Sequence, residues 1–106
     1  MSFRRRGRLD ELVARQLDLF AEDDAALLEE AREADEAWTR AGADETEELY
    51  GDYQLVVDAV GERLYDVREA YAATLDARAG AEYRTAFDKA ALKRFRRLAA
   101  FLEDDD

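Results

Sequence analysis

Two groups of charged residues have spacings that could do chemistry. Glu29, Glu30 and Glu33 stand about ten residues before the segment Ala41-Gly42-Ala43-Asp44, and Glu48 and Asp52 follow it at a similar distance. If that segment turns an antiparallel helical hairpin, the two acidic groups face one another. Carboxylates converging from neighbouring helices suit Mg²⁺, a hard cation that prefers oxygen ligands. Glu30, Glu33, Glu48 and Asp52 are the candidate metal ligands. The second group is basic. Lys89, Lys93, Arg96 and Arg97 recur at i, i+4, i+7 and i+8, so on a helix they form one contiguous face. Such a face attracts phosphates or an acidic protein, and these four are the candidate interaction surface.

Other chemistries are excluded by residue type. The chain has no Cys and no His. Thiol nucleophiles, imidazole relays, disulfides and zinc-finger sites therefore fall away, as does imidazole switching near neutral pH. No Gly-rich phosphate loop and no nucleophile elbow is present. A general acid or base would have to be Asp or Glu, and no catalytic residue is singled out.

The charge is unevenly spread. Residues 21–52 hold thirteen acids against two bases, for −11, and residues 84–97 hold six bases against one acid, for +5, within a net charge of −11. The chain therefore has an acidic segment and a basic one rather than a uniform coat. The two either pair with each other or remain as solvated faces. Residues 1–8, with four Arg, are expected as a flexible basic arm, and Asp104 to Asp106 as an acidic tail.

The elements that must position these groups are read from periodicity. Pro is absent, and Ala, Leu, Glu, Arg and Asp dominate, mostly helix formers. Leu49, Tyr53, Val56, Val60, Leu64, Val67, Tyr71 and Leu75 recur every three or four residues. Val57, Tyr50 and Gly61 widen that stripe to an arc of roughly 140°, more than a helix needs to cover one neighbour. This is the central helix, expected to run to about Arg78. It should begin at Asp44 with Glu47, a pair that resembles a capping box, while Gly42 would close the preceding helix in a left-handed conformation. A first helix is expected from Leu9 through Leu12, Val13, Leu17 and Phe20 to Leu27, Ala31 and Trp38. Its phase holds across Asp23 and Asp24, which favours one continuous or mildly bent helix over a break capped by one of the two. A turn at Ala79-Gly80-Ala81 should lead to a last helix from Glu82 to Leu102, with Tyr83, Phe87, Ala90, Ala91, Leu98 and Phe101 inward.

The expectation is a single domain over residues 9–103, all-α, an antiparallel up-down-up bundle of three long helices, or four if the first breaks near Asp23 and Asp24. Arg94 would fall on the apolar face of the last helix and should pair with Asp24. Leu55, Tyr65 and Leu92 lie outside the main stripes and leave room for a dimer to complete the core. The tyrosines read as packing residues with hydroxyls at the bundle edge.

Glu29-Glu30-x-x-Glu33 and Glu47-Glu48-Leu49-Tyr50-Gly51-Asp52 resemble the two acidic motifs of the MazG-type all-α nucleotide pyrophosphatases, over about a quarter of the chain. Tyr50 is an extra residue, so the Glu-x-x-Asp spacing of that family becomes Glu48-x-x-x-Asp52. The resemblance implies a Mg²⁺-dependent nucleotide hydrolase. The leading expectation is instead a non-enzymatic interaction or scaffold protein, acting through a charged bundle surface on a protein partner or on itself and requiring no cofactor. A nucleic-acid role for Arg4 to Arg8 and the basic stripe is a third, less favoured reading. No apolar run approaches a membrane span, so a soluble cytoplasmic protein is the default.

Overall fold

A computed structural model describes the backbone of residues 2–96 and the side chains of residues 7–96. It is all-α, with four helices among the described residues: α1 (Ser2–Asp23), α2 (Ala25–Thr39), α3 (Thr46–Ala72) and α4 (Ala77–Arg94). The fourth helix arises because the first expected helix breaks at Asp24, which adopts φ −110° and ψ 30°. The ladder nevertheless passes the break. The Asp24 amide donates to the Phe20 carbonyl at 2.8 Å, and the Leu28 amide donates to that of Asp24 at 3.0 Å. Asp24 does not cap α2 with its side chain. Its carboxylate turns instead to Arg63 on α3.

Helix α3 is the common element. Its N-terminal half runs antiparallel to α2, with Trp38 at one end against Tyr50 and Tyr53, and Asp24 at the other against Arg63. Its C-terminal half runs antiparallel to α4, with Tyr71 against Tyr83 and Arg68 against Asp88. The C-terminal ends of α1 and α4 meet through Asp18 and Arg94 and through an edge-to-face contact of Phe20 with Phe95 at 5.7 Å. Helices α2 and α4 do not approach each other. The molecule is elongated, 56 × 25 × 22 Å. That length matches α1 and α2 laid nearly end to end, about 57 Å at 1.5 Å per residue.

The core follows the apolar arc read from the sequence. Val60 and Leu64 of α3, Val13, Leu17 and Phe20 of α1, Ala31 of α2, and Tyr83, Phe87 and Ala91 of α4 are buried in one cluster. Gly61 is buried with them. Each large side chain placed there contributes about 1.5–3 kcal/mol of transfer free energy. Tyr50 departs from the expected arc and is 45% exposed.

The connections differ from the sequence expectation. Among the described residues no residue has a positive φ, so Gly42 does not close α2 in a left-handed conformation. Its carbonyl instead accepts from the Glu45 and Thr46 amides and from the Thr46 hydroxyl. Asp44 and Glu47 form no capping box; α3 is preceded by Glu45, whose side chain caps nothing. The second turn lies at residues 73–76 rather than at Ala79-Gly80-Ala81. There Asp76 accepts from the Ala79 amide at 2.8 Å and starts α4, an ordinary aspartate N-cap. Gly80 thus sits in the first turns of α4, buried at the close approach to α3. Helix α1 begins at Ser2, ahead of the expected start at Leu9, so the backbone of Ser2 to Arg8 is helical. Helix α4 ends at Arg94; Arg97, Leu98, Phe101, Leu102 and the tail Asp104 to Asp106 lie outside the described residues. Among the described residues no helix is long and apolar enough to cross a membrane.

Candidate functional site

The last turns of α4 carry the basic row. Tyr83, Phe87 and Ala91 face the core, which turns Lys89 and Lys93 outward; Arg96 follows the end of the helix, and all three bases are exposed. None of the three takes part in a salt bridge among the described residues. The acidic segment does not neutralise them: its larger part lies on α2 and the start of α3, α2 does not reach α4, and Glu22 and Asp23 at the end of α1 form no salt bridge with them among the described residues. Arg97, the fourth residue of the expected stripe, lies outside the described residues.

Glu30, Glu33, Glu48 and Asp52 are all exposed on α2 and α3. Among the described residues no three Asp or Glu side chains come together in a group that could hold a metal ion. The hairpin expected to juxtapose the two acidic groups is present. However, its inner faces are occupied by Ala31, Trp38, Tyr53 and Val57, and the carboxylates point away from that packing. On α2, Arg32 pairs with Glu29 and Glu36, and Arg40 with Glu36. The Arg32 guanidinium holds the exposed Glu29 carboxyl below its ordinary range.

Arg94 does not pair with Asp24. Its guanidinium donates to Asp18 at 2.7 Å across the α1–α4 contact, and it is 39% exposed rather than buried in an apolar face. The expected pair fails because α4 meets α1 below the break. Asp24 looks toward α3, where Arg63 donates to both its oxygens at 3.1–3.3 Å. Between these contacts a shallow groove of about 330 Å³ opens between α1 and α3, with Leu19, Phe20, Val67 and Tyr71 on its walls and Asp24 and Arg63 on its rim.

A charged network that sequence reading did not find ties α3 to α4. Arg68 donates to both oxygens of Asp88 at 2.7 and 2.9 Å and to Glu69 at 2.9 Å. Arg84 closes the chain on Glu69 at 2.9 Å. The Arg68 side chain is 12% exposed, and its guanidinium lies 5.0 Å from the Tyr65 ring centroid. The Arg84 hydrogen bond, with help from Arg68, holds the Glu69 carboxyl below its ordinary range. Burial works against the Arg68 charge, but Asp88 and Glu69 more than offset it. Each partner lies fifteen or more residues from the other helix's member, and with 27 acids in the chain no local spacing marks these.

The aromatic residues are committed to packing. Trp38 stacks on Tyr53 at 5.2 Å and meets Tyr50 at 5.0 Å. Phe95, which could have stacked a base beside the basic row, is held edge-on by Phe20. The outer face of α3 is different. Leu55 is 70% exposed and Tyr65 42%, among Asp58, Glu62 and Asp66, which are also exposed.

Comparison with protein-family models, with curated proteins and with solved structures gives no match.

Proposed function

We propose that this chain is a non-enzymatic interaction module that works through the charged outer surface of the α3–α4 hairpin. The observation that carries the reading is the state of the charges on that surface. Lys89 and Lys93 on α4, Arg96 just past its end, and Asp58, Glu62 and Asp66 on α3, are exposed and form none of the salt bridges seen among the described residues. The chain pairs other charges across the same two helices through Arg68, Asp88, Glu69 and Arg84. Rows left unpaired beside a completed network are available to a partner, and electrostatic complementarity supplies on-rate and orientation in such contacts. Leu55, so exposed, adds the apolar contact that a charged rim alone lacks.

The test is a native-mass measurement run beside a nucleotide turnover assay with Mg²⁺ present. The reading expects a complex of defined size, with a second copy or with another protein, and no turnover. Nucleotide hydrolysis that disappears on substituting Glu30, Glu33, Glu48 or Asp52 would overturn it in favour of the pyrophosphohydrolase alternative.

A further inference from the structure

We infer that the partner of this surface is a second copy of the same chain, with the α4 basic row of each copy seated on the α3 acidic row of the other. This rests on the interaction-module reading above and names its partner.

The surface is open on the side away from α1. On α3, Val57, Val60 and Leu64 face inward and Arg68 and Ala72 face α4. At 100° per residue, Leu55, Asp58, Glu62 and Tyr65 then share the outward side at i, i+3, i+7 and i+10. On α4, Tyr83, Phe87 and Ala91 face inward. Thr85 and Lys89 then share the outward side at i and i+4, with Lys93 beside them, and all three are exposed. The α3 row has the heptad spacing of a helix–helix seam. The α3 row is anionic and carries the exposed Leu55 and Tyr65, and the α4 row is cationic.

The register of the hairpin matches them. Arg68 contacts Asp88 and Tyr71 contacts Tyr83. Continuing that antiparallel register along the pair brings Asp66 level with Lys89 and Glu62 with Lys93. Within one copy these residues point the same way, outward, and form no salt bridges with each other. A two-fold axis parallel to the helices, lying over the open face, places α3 of the second copy above α4 of the first without changing any level. Each lysine then meets its acid, and the same contacts form twice. This is the isologous pattern, in which residue i meets j and j meets i.

A foreign partner of one sign would fit only half of this face and would be repelled by the other half. A second copy fits both halves. The net charge of −11 opposes self-association at a distance, but at physiological ionic strength that repulsion is screened beyond about 8 Å, while the facing rows meet at contact.

A charge-swap experiment tests the inference. One variant carries Lys89→Glu and Lys93→Glu, the other Glu62→Lys and Asp66→Lys. All four positions are exposed, and circular dichroism checks that the helices persist. Native mass spectrometry and sedimentation should find the unmodified chain as a dimer, each variant alone as a monomer, and an equimolar mixture as a dimer of one copy of each. The neutral pair Lys89→Gln and Lys93→Gln should weaken the dimer at least tenfold if reversal disturbs the fold. A monomeric unmodified chain, variants that dimerise alone, or a mixture that stays monomeric would each overturn the inference. A monomer inert toward nucleotides removes the second copy and leaves the interaction-module reading standing, whereas Mg²⁺-dependent turnover removes that reading itself.

Discussion

Arg63 of α3 donates to both carboxylate oxygens of Asp24, the one residue that leaves helical geometry between α1 and α2. Asp24 has 17% of its side chain exposed, and Arg63 has 46%. The acid is therefore the member that depends on the pair. Arg63→Met should leave Asp24 partly buried without a cation. For a pair with one exposed partner, the coupling in a double-mutant cycle with Asp24→Asn should be about 0.5–1 kcal/mol. Denaturant unfolding of the four proteins in that cycle measures it. A coupling of zero would mean that the break is held by backbone alone.

The Arg68 network should contribute more, because it is less exposed. Arg68→Met strands Asp88 and weakens Glu69, and should cost about 2 kcal/mol, in the range for hydrogen bonds to charged groups. The network also sets an acid limit. The folded-state pKa of Glu69 lies below its ordinary value of 4.5. Its contribution is thus complete above 4.5 and is lost as pH falls through the folded-state value. Urea unfolding at pH 7 and pH 3 should show a smaller acid loss in Glu69→Gln than in the parent chain. Taking the difference between the two proteins removes the common effect of discharging the other acids.

How much of this was legible in the sequence depended on whether the signal was local. The α3 core was, because Tyr53, Val60 and Leu64 repeat with the helical period over several turns, and burial follows. Asp24 stood out as an acid on an apolar face, but the phase kept across it favoured a continuous helix, and neither the break nor its partner was visible. Arg63 and Arg94 were both available cations, and only the way α4 meets α1 assigns one to Asp24 and the other to Asp18. Gly80 misled for a physical reason. A glycine near a helix start reads as a turn, whereas here it lies inside α4, where an added Cβ would sit 3.4 Å from the Ala72 carbonyl. The stronger mark was Asp76, three residues before the amide that it accepts from. The four candidate metal ligands had helical spacing on paper. Spacing along two helices does not fix their rotation, and Trp38 and Tyr53 turned the inner faces of that hairpin apolar.

Gly51 offers a simple gain. It lies in the interior of α3, exposed, with nothing within 4 Å of where a Cβ would stand. Gly51→Ala removes backbone freedom from the unfolded chain and meets no clash, so it should stabilise by about 0.5–1 kcal/mol. Thermal unfolding at fixed protein concentration would register the gain as a higher Tm. An unchanged or lower Tm would mean that the first turns of α3 are not helical in the way described.

Tyr83 is the least comfortable side chain of the core. It is fully buried against Tyr71 and Phe87, and its hydroxyl has no hydrogen-bond partner among the described residues. A buried hydroxyl without a partner costs about 1–3 kcal/mol of desolvation, while the ring it sits on contributes packing. The two should separate under substitution. Tyr83→Phe keeps the ring and should be neutral or stabilising by up to about 1 kcal/mol, whereas Tyr83→Ala should cost about 3–5 kcal/mol. Alkali gives an independent reading. Burial, and then the charge of Tyr71, push the Tyr83 phenol up to about 12 from 10.0. The folded state therefore prefers the neutral phenol, and its contribution is complete below 10 and is lost as pH rises toward 12. Tyr83→Phe should accordingly lose less stability between pH 9 and pH 11.5 than the parent chain. A clear loss of stability in Tyr83→Phe at neutral pH would instead mean that the hydroxyl has a bonding partner, and an ordered water inside the α3–α4 contact would be the group to look for.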